Sequence, residues 1–213
     1  MYCGSEMILI LSGGIGSGKS VAAGMLNEVY GFPVYCADRR VKELYEEHPT
    51  LLSDIEKELG CTLRDEAGFF MPDALARKIF SDGEALDKVE ALVFPQLKKD
   101  LERWMNEHPS RVHILESATI LEKEYFKGFG DFALIITAPV DVRIRRAMER
   151  DSSCEEHVRA RIQKQKLMNS LDLLNQFCSI PFEVCENAGT TEELRSKLSE
   201  FVEKQGVNKN VIT

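Results

Sequence analysis

The chain has no apolar run approaching the roughly 18 to 20 residues that a membrane-spanning helix needs, so no membrane partner is expected. The stretch Met7–Leu11 is apolar, but it is too short for a signal peptide and has no basic lead-in. Its six cysteines, Cys3, Cys36, Cys61, Cys154, Cys178 and Cys185, form no C-x-x-C pair and no zinc-ligand spacing. Reduced thiols in a cytoplasmic protein are the expectation. Positive charge is also in deficit. Lys and Arg number 27 against 35 Asp and Glu, for a formal net charge of −8. That balance argues against a nucleic-acid partner, because binding a phosphate backbone needs a basic face. There is no internal repeat and no low-complexity segment.

What is present is an ordinary globular balance over 213 residues, 44% hydrophobic and 29% charged. Residues 1–213 are expected to form one domain, or one core with an appendage. Met7–Leu11 reads as a strand buried on both faces. A glycine-rich turn and a helix over Ser20–Tyr30 follow, with Val21, Met25, Leu26 and Val29 at helical spacing and Gly31 and Pro33 as the stop. Val34–Cys36, Val112–Leu115, Phe132–Thr137 and Pro181–Cys185 read as further strands. Helices are expected over Arg39–Glu47, from Pro139 onward, from a Ser153/Glu156 capping box to about Leu167, and over Glu192–Lys204. Residues 50–108 read as a helical insertion in which Pro95 kinks or splits the second long segment. The tail Gly206–Thr213 is polar and expected to fray. Strands alternating with helices predict an α/β fold, a parallel sheet with helices on both faces.

Gly13-Gly14-Ile15-Gly16-Ser17-Gly18-Lys19-Ser20 fits G-x-x-x-x-G-K-[ST] without a gap. The glycines let backbone N–H groups turn inward around phosphate oxygens. Lys19 brings a positive charge to the β- and γ-phosphates, and Ser20 offers a hydroxyl to Mg²⁺. The start of the following helix adds partial positive charge. A buried strand before the loop and a helix after it supply the required setting. The nucleotide-binding stretch is therefore expected to run from Gly13 to Val21, with ATP as co-substrate and Mg²⁺ as its ion. No N-K-x-D motif is present, which disfavours a guanine-nucleotide switch.

Transfer of a phosphoryl group needs an acceptor hydroxyl aligned and deprotonated beside the γ-phosphate. Asp38 ends the second strand, at the sheet edge where α/β folds bind ligands. It suits a base, and equally a helix N-cap. Glu116 ends the third strand and suits either a water-mediated Mg²⁺ contact or a cap. Arg143, Arg145, Arg146 and Arg150 crowd one segment, with 143, 146 and 150 on one helix face. Such a stripe would neutralise charge developing in transfer, or would be a solvated face paired with Glu149, Asp151 and Glu155. The functional reading favours Arg146 and Arg150 and makes residues 139–176 a lid that closes over ATP.

Taken together, these segments resemble the dephospho-coenzyme A kinases over nearly the whole chain. The likeness rests on Ser12–Ser20, Val34–Asp38, Leu86 with Leu92–Pro95 and Leu97, Arg146 with Arg150 and Asp151, Arg161 with Ile162 and Gln165, and Asn187 with Gly189. The resemblance implies a P-loop NTPase core with a helical substrate domain and a helical lid. It implies transfer from ATP to the ribose 3′-hydroxyl of dephospho-coenzyme A, the last step of coenzyme A synthesis. It makes Asp38 the acceptor-side base, Lys19, Arg146 and Arg150 its catalytic companions, and Asn187–Gly189 the loop beside the adenine. The chain departs from the family pattern at four places: Phe94 replaces the His before Pro95, Cys36 a frequent Asp, Pro72 a common Arg, and Glu116-Ser117-Ala118 the usual Asp-x-Pro. Another P-loop nucleotide or small-molecule kinase is the alternative; a nucleotide-dependent switch or assembly ATPase is a more distant one.

Overall fold

The structure is a computed structural model that describes residues 6–165 and 167–207. Cys3 and the tail from 208 onward lie outside the described residues. Two compact units are present, one made of residues 1–36 with 108–213, the other of Ala37–Glu107.

The first unit is built on five strands, β1 (Met7–Ser12), β2 (Val34–Cys36), β3 (Val112–Glu116), β4 (Phe132–Thr137) and β5 (Phe182–Glu186). They lie in the order β2-β3-β1-β4-β5, and every pairing is parallel. All five residues of β3 are buried, and β4 is buried through Ala133–Ile136. This is what a parallel sheet covered on both faces requires. Leu9 and Leu11 of β1 share one core with Ile114, Leu134 and Ile136. That core is closed by α1 (Lys19–Tyr30) through Ala22, Ala23, Met25 and Leu26, and by α9 (Thr191–Gln205) through Leu194, Leu198, Phe201 and Val202. Each large apolar side chain so buried contributes about 1.5–3 kcal/mol.

The second unit consists of α2 (Ala37–Glu47), α3 (Leu51–Leu59), α4 (Pro72–Ser81) and α5 (Gly83–Glu107). Val89, Val93, Leu97 and Leu101 make a buried stripe along α5, facing Leu51, Leu52, Ile55 and Leu75 of the neighbouring helices. Arg40 of α2 holds the buried Asp100 of α5 at 2.6 Å and also reaches Glu43 and Glu47.

Several boundaries differ from the sequence reading. Pro95 neither splits nor ends its helix: α5 is continuous over 25 residues. A proline removes one backbone bond, and here the apolar stripe on both sides of it holds the helix together. Val21 is 54% exposed, so the buried stripe of α1 is Ala22, Ala23, Met25 and Leu26 instead. The Ser153/Glu156 capping box does not form. Helix α6 (Val140–Asp151) ends on Ser152 in a left-handed conformation, φ 49°, and α7 (Glu155–Lys164) begins on Cys154 without a side-chain cap. The short link between the two helices takes Ser153 into the turn. The capping box that does form is Thr190 with Glu193, at the start of α9. A 3₁₀ turn over Leu167–Asn169 and a short helix, α8 (Leu171–Phe177), follow α7 where the sequence suggested no element. Of the tail expected to fray, Gly206 caps α9 and Val207 packs on the core.

Candidate active site

The chain leaves the sheet at Ser12, the last residue of the central strand, and enters α1 at Lys19. Successive crossovers run from this strand toward β2 and β3 on one side and β4 and β5 on the other. A crevice outside the carboxyl ends of the strands is the expected result at such a switch point. Gly16 (φ 73°) and Gly18 (φ 95°) adopt left-handed conformations that turn the loop back on itself. Ser17 N–H donates to the Gly14 carbonyl at 3.1 Å and Ala22 N–H to the Gly18 carbonyl at 3.0 Å. Among the described residues, no protein acceptor takes the N–H groups of Gly16, Gly18, Lys19 or Ser20. The start of α1 thus keeps its unpaired donors, the arrangement that binds anions at a helix N-terminus.

Around this loop the sheet assembles the other groups. Parallel register puts Glu116 opposite Leu11, and Ser20 Oγ donates to Glu116 Oε1 at 2.5 Å. Glu116 is only 6% exposed, and Ser117 N–H bonds the Leu11 carbonyl at 3.1 Å, fixing the end of β3. Asn187 follows β5; its N–H donates to Thr137 O at 2.7 Å and its side-chain Nδ2 to Ser17 O at 2.8 Å. Its own carbonyl accepts from Arg146 Nη1 at 3.0 Å. Asn187 therefore grips the phosphate loop directly. Gly189 has a different reason for lacking a side chain: a Cβ there would collide with the Glu193 carboxylate that completes the α9 capping box.

Arg146 and Arg150 line a cavity of about 270 Å³ together with Gly14, Gly16, Gly18, Lys19, Ser20 and Val21. Its lining is cationic and rich in backbone donors, the composition a polyphosphate requires. Arg150 is also engaged with Asp151, Nε to Oδ1 at 2.7 Å and Nη2 to Oδ2 at 3.0 Å. Arg161 of α7 reaches the same carboxylate at 2.8 Å. Hydrogen bonds from Arg150 first, then from Arg161, hold the Asp151 carboxyl well below the usual range. One of the pairings of a solvated arginine face is thus real for Arg150, although the same residue borders the loop cavity.

Arg143 has different partners. It is 4% exposed and lies against the loop, Nε donating to Ile15 O at 2.9 Å and Nη1 to Asn169 Oδ1 at 2.9 Å. Ile15 N–H donates to Gln165 Oε1 at 2.7 Å. The sequence placed Arg143 on the arginine face and noted Gln165 in the family pattern, but gave neither a role. The i, i+3 spacing to Arg146 was the available signal.

Asp38 belongs to the helical unit, in the first turn of α2 and two residues beyond the end of β2. It is not that helix's N-cap, since Ala37 already precedes it within the helix. The structure brings together the Gly13–Val21 stretch, Glu116, Arg146, Arg150 and Asn187, all within the first unit.

Comparison with known proteins fits this geometry. The family model described as dephospho-CoA kinase matches residues 7–172. A dephospho-CoA kinase of Porphyromonas gingivalis is 38% identical over 161 residues, 76% of this chain and 78% of that one. The solved structure of TT1252 from Thermus thermophilus superposes with a TM-score of 0.77 at 27% identity, covering 94% of this chain and 98% of that one. A dephospho-CoA kinase from Campylobacter jejuni shares the fold at a TM-score of 0.62 and 19% identity, covering 93% and 96%. With a phosphate loop at the end of the central strand of a parallel sheet and a family match over most of its length, this chain belongs to the dephospho-CoA kinase family of ATP-dependent enzymes of coenzyme A biosynthesis.

Proposed function

We propose that the chain transfers the γ-phosphoryl group of Mg·ATP to the ribose 3′-hydroxyl of dephospho-coenzyme A, giving ADP and coenzyme A. The observation that carries this reading is the cationic cavity lined by Gly14, Gly16, Gly18, Lys19, Ser20, Val21, Arg146 and Arg150, in a chain of this family. The free N–H groups at the start of α1 cradle the β- and γ-phosphates, and Lys19 adds its charge to them. The residues present suit a hard cation: the Ser20 hydroxyl and the buried Glu116 carboxylate are oxygen donors already 2.5 Å apart. Ser20 would hold Mg²⁺ directly and Glu116 through water. The ion would neutralise charge on the β- and γ-phosphates.

Asp38 is the proposed base, accepting the proton of the attacking hydroxyl as it forms the new P–O bond and ADP leaves. Arg146 and Arg150 offset charge developing on the transferred group, with residues 139–176 acting as the lid and Asn187–Gly189 bordering the adenine. Residues 50–108 would recognise the acceptor, within a single kinase domain of 1–213. The acidic overall balance disfavours nucleic acid, while the local arginine patch can serve a small anionic substrate. Among the described residues no helix is long and apolar enough to cross a membrane, and we assign the enzyme to the cytoplasm.

The decisive assay follows ADP and coenzyme A with Mg·ATP and dephospho-coenzyme A supplied together. ADP release that does not depend on the acceptor would overturn the assignment. Asp38→Asn is expected to bind ATP normally and lose most turnover. Turnover equal to wild type would remove Asp38 from the chemistry.

A further inference from the structure

Both backbone polar groups of Ile15 are held by side chains from outside the loop. Gln165, the residue that ends α7, accepts its N–H, and Arg143 of α6 donates to its carbonyl. The contact set is wider than these two bonds. Asn169 accepts from Arg143 Nη1 and donates through Nδ2 to the Ile162 carbonyl at 2.7 Å. Ser12, at the base of the loop, donates to Met168 Sδ at 3.6 Å. A Cβ on Gly14 would strike the Arg143 guanidinium, and one on Gly16 the Arg143 backbone. Burial lowers the Arg143 pKa, as expected for a guanidinium enclosed by these groups.

We infer that Arg143 and Gln165 are positioning residues for nucleotide binding that act through Ile15. Ile15 stands between two glycines, so without external partners this part of the loop would sample many backbone states. Fixing its N–H and its carbonyl from two helices removes that freedom. It also turns the Ile15 N–H away from the cavity, while the N–H groups of Gly16, Gly18, Lys19 and Ser20 keep no protein acceptor among the described residues. The loop is thereby held in a phosphate-binding shape before the nucleotide arrives, and preorganisation of this kind appears as affinity.

This inference rests on reading Gly13–Ser20 as the ATP site, and the test separates the two. Initial rates are measured for wild type, Gln165→Ala, Gln165→Glu, Arg143→Gln and Lys19→Ala, varying ATP and dephospho-coenzyme A in turn, with thermal denaturation of each variant. Gln165→Ala is expected to raise the KM for ATP roughly five- to tenfold, the equivalent of one net hydrogen bond. The KM for dephospho-coenzyme A should stay within about twofold, against that change in ATP. Gln165→Glu retains the acceptor oxygen and should recover most of the ATP affinity. Arg143→Gln should act in the same direction as Gln165→Ala. An unchanged ATP KM in Gln165→Ala, an equal rise in both KM values, or a Gln165→Glu enzyme as impaired as Gln165→Ala overturns the positioning role. Full activity in Lys19→Ala would instead overturn the ATP-site reading.

Discussion

The contact between Gly18 and Asn187 offers a quantitative check on how the loop is held. Gly18 has φ 95° and ψ 19°, and a Cβ there would collide with the Asn187 side-chain amide. That amide donates to Ser17 O at 2.8 Å and is buried. Gly18→Ala therefore incurs two costs: about 1–2 kcal/mol for a left-handed non-glycine residue, and about 1–3 kcal/mol for a buried carbonyl losing its donor as the amide is pushed aside. Asn187→Ala loses the same hydrogen bond but creates no backbone strain. In the double variant the bond can be lost only once and the collision disappears. The two single effects should thus exceed the double by the value of one buried hydrogen bond, about 1–3 kcal/mol. Urea denaturation of the four proteins, with ATP KM measured alongside, reads this coupling. Effects that add to within about 0.5 kcal/mol in both measurements would refute the argument.

Three further outcomes follow from other parts of the molecule. Burial first, and then the nearby Glu90 charge, push the Tyr45 pKa up to about 12. The protonated side chain is thus favoured in the folded state: its contribution is whole below about pH 10 and disappears as pH rises through about 12. Tyr45→Phe should flatten the stability-versus-pH curve between those limits by roughly 2–3 kcal/mol, measured by urea melts, and an unchanged slope would contradict the burial argument. Glu116→Gln should increase the Mg²⁺ concentration needed for half-maximal rate, and an unaltered Mg²⁺ titration would exclude Glu116 from the ion's surroundings. Phe201→Ala should cost about 3–5 kcal/mol of stability, since its ring is buried and meets the Phe132 ring at a tilt, centroids 5.7 Å apart; a loss under 1 kcal/mol by denaturation, well below that ~3 kcal/mol floor, would mean that α9 is not essential to the core.

The phosphate loop was legible in the sequence because its parts are contiguous, and a strand-turn-helix setting is written into the residues on either side. The parallel sheet was legible for a similar reason: β1 and β4 carry unbroken apolar runs, Met7–Leu11 and Phe132–Ile136. The supports of the loop were not. Asn187 meets Ser17 across 170 positions, Gln165 meets Ile15 across 150, and Arg143 meets Ile15 across 128. No local pattern encodes such pairs; they exist only once β4 and β5 lie beside β1. Pro95 shows the limit of a local rule: it sits within α5 without splitting it, amid the apolar stripe. Val21 shows that helical spacing of apolar residues does not by itself name the buried face, because small Ala22 and Ala23 occupy it.

The Asp151 carboxylate, shared by Arg150 and Arg161, has a consequence for discrimination among anions. A guanidinium that already has a carboxylate partner offers an incoming anion only the difference between two pairings. Inorganic phosphate gains little from such an exchange. A nucleotide bound as proposed would also engage the loop N–H groups and Lys19, and so would displace Asp151 with a surplus. On the proposed function, the carboxylate would act as a resident competitor that a lone phosphate is poorly placed to displace.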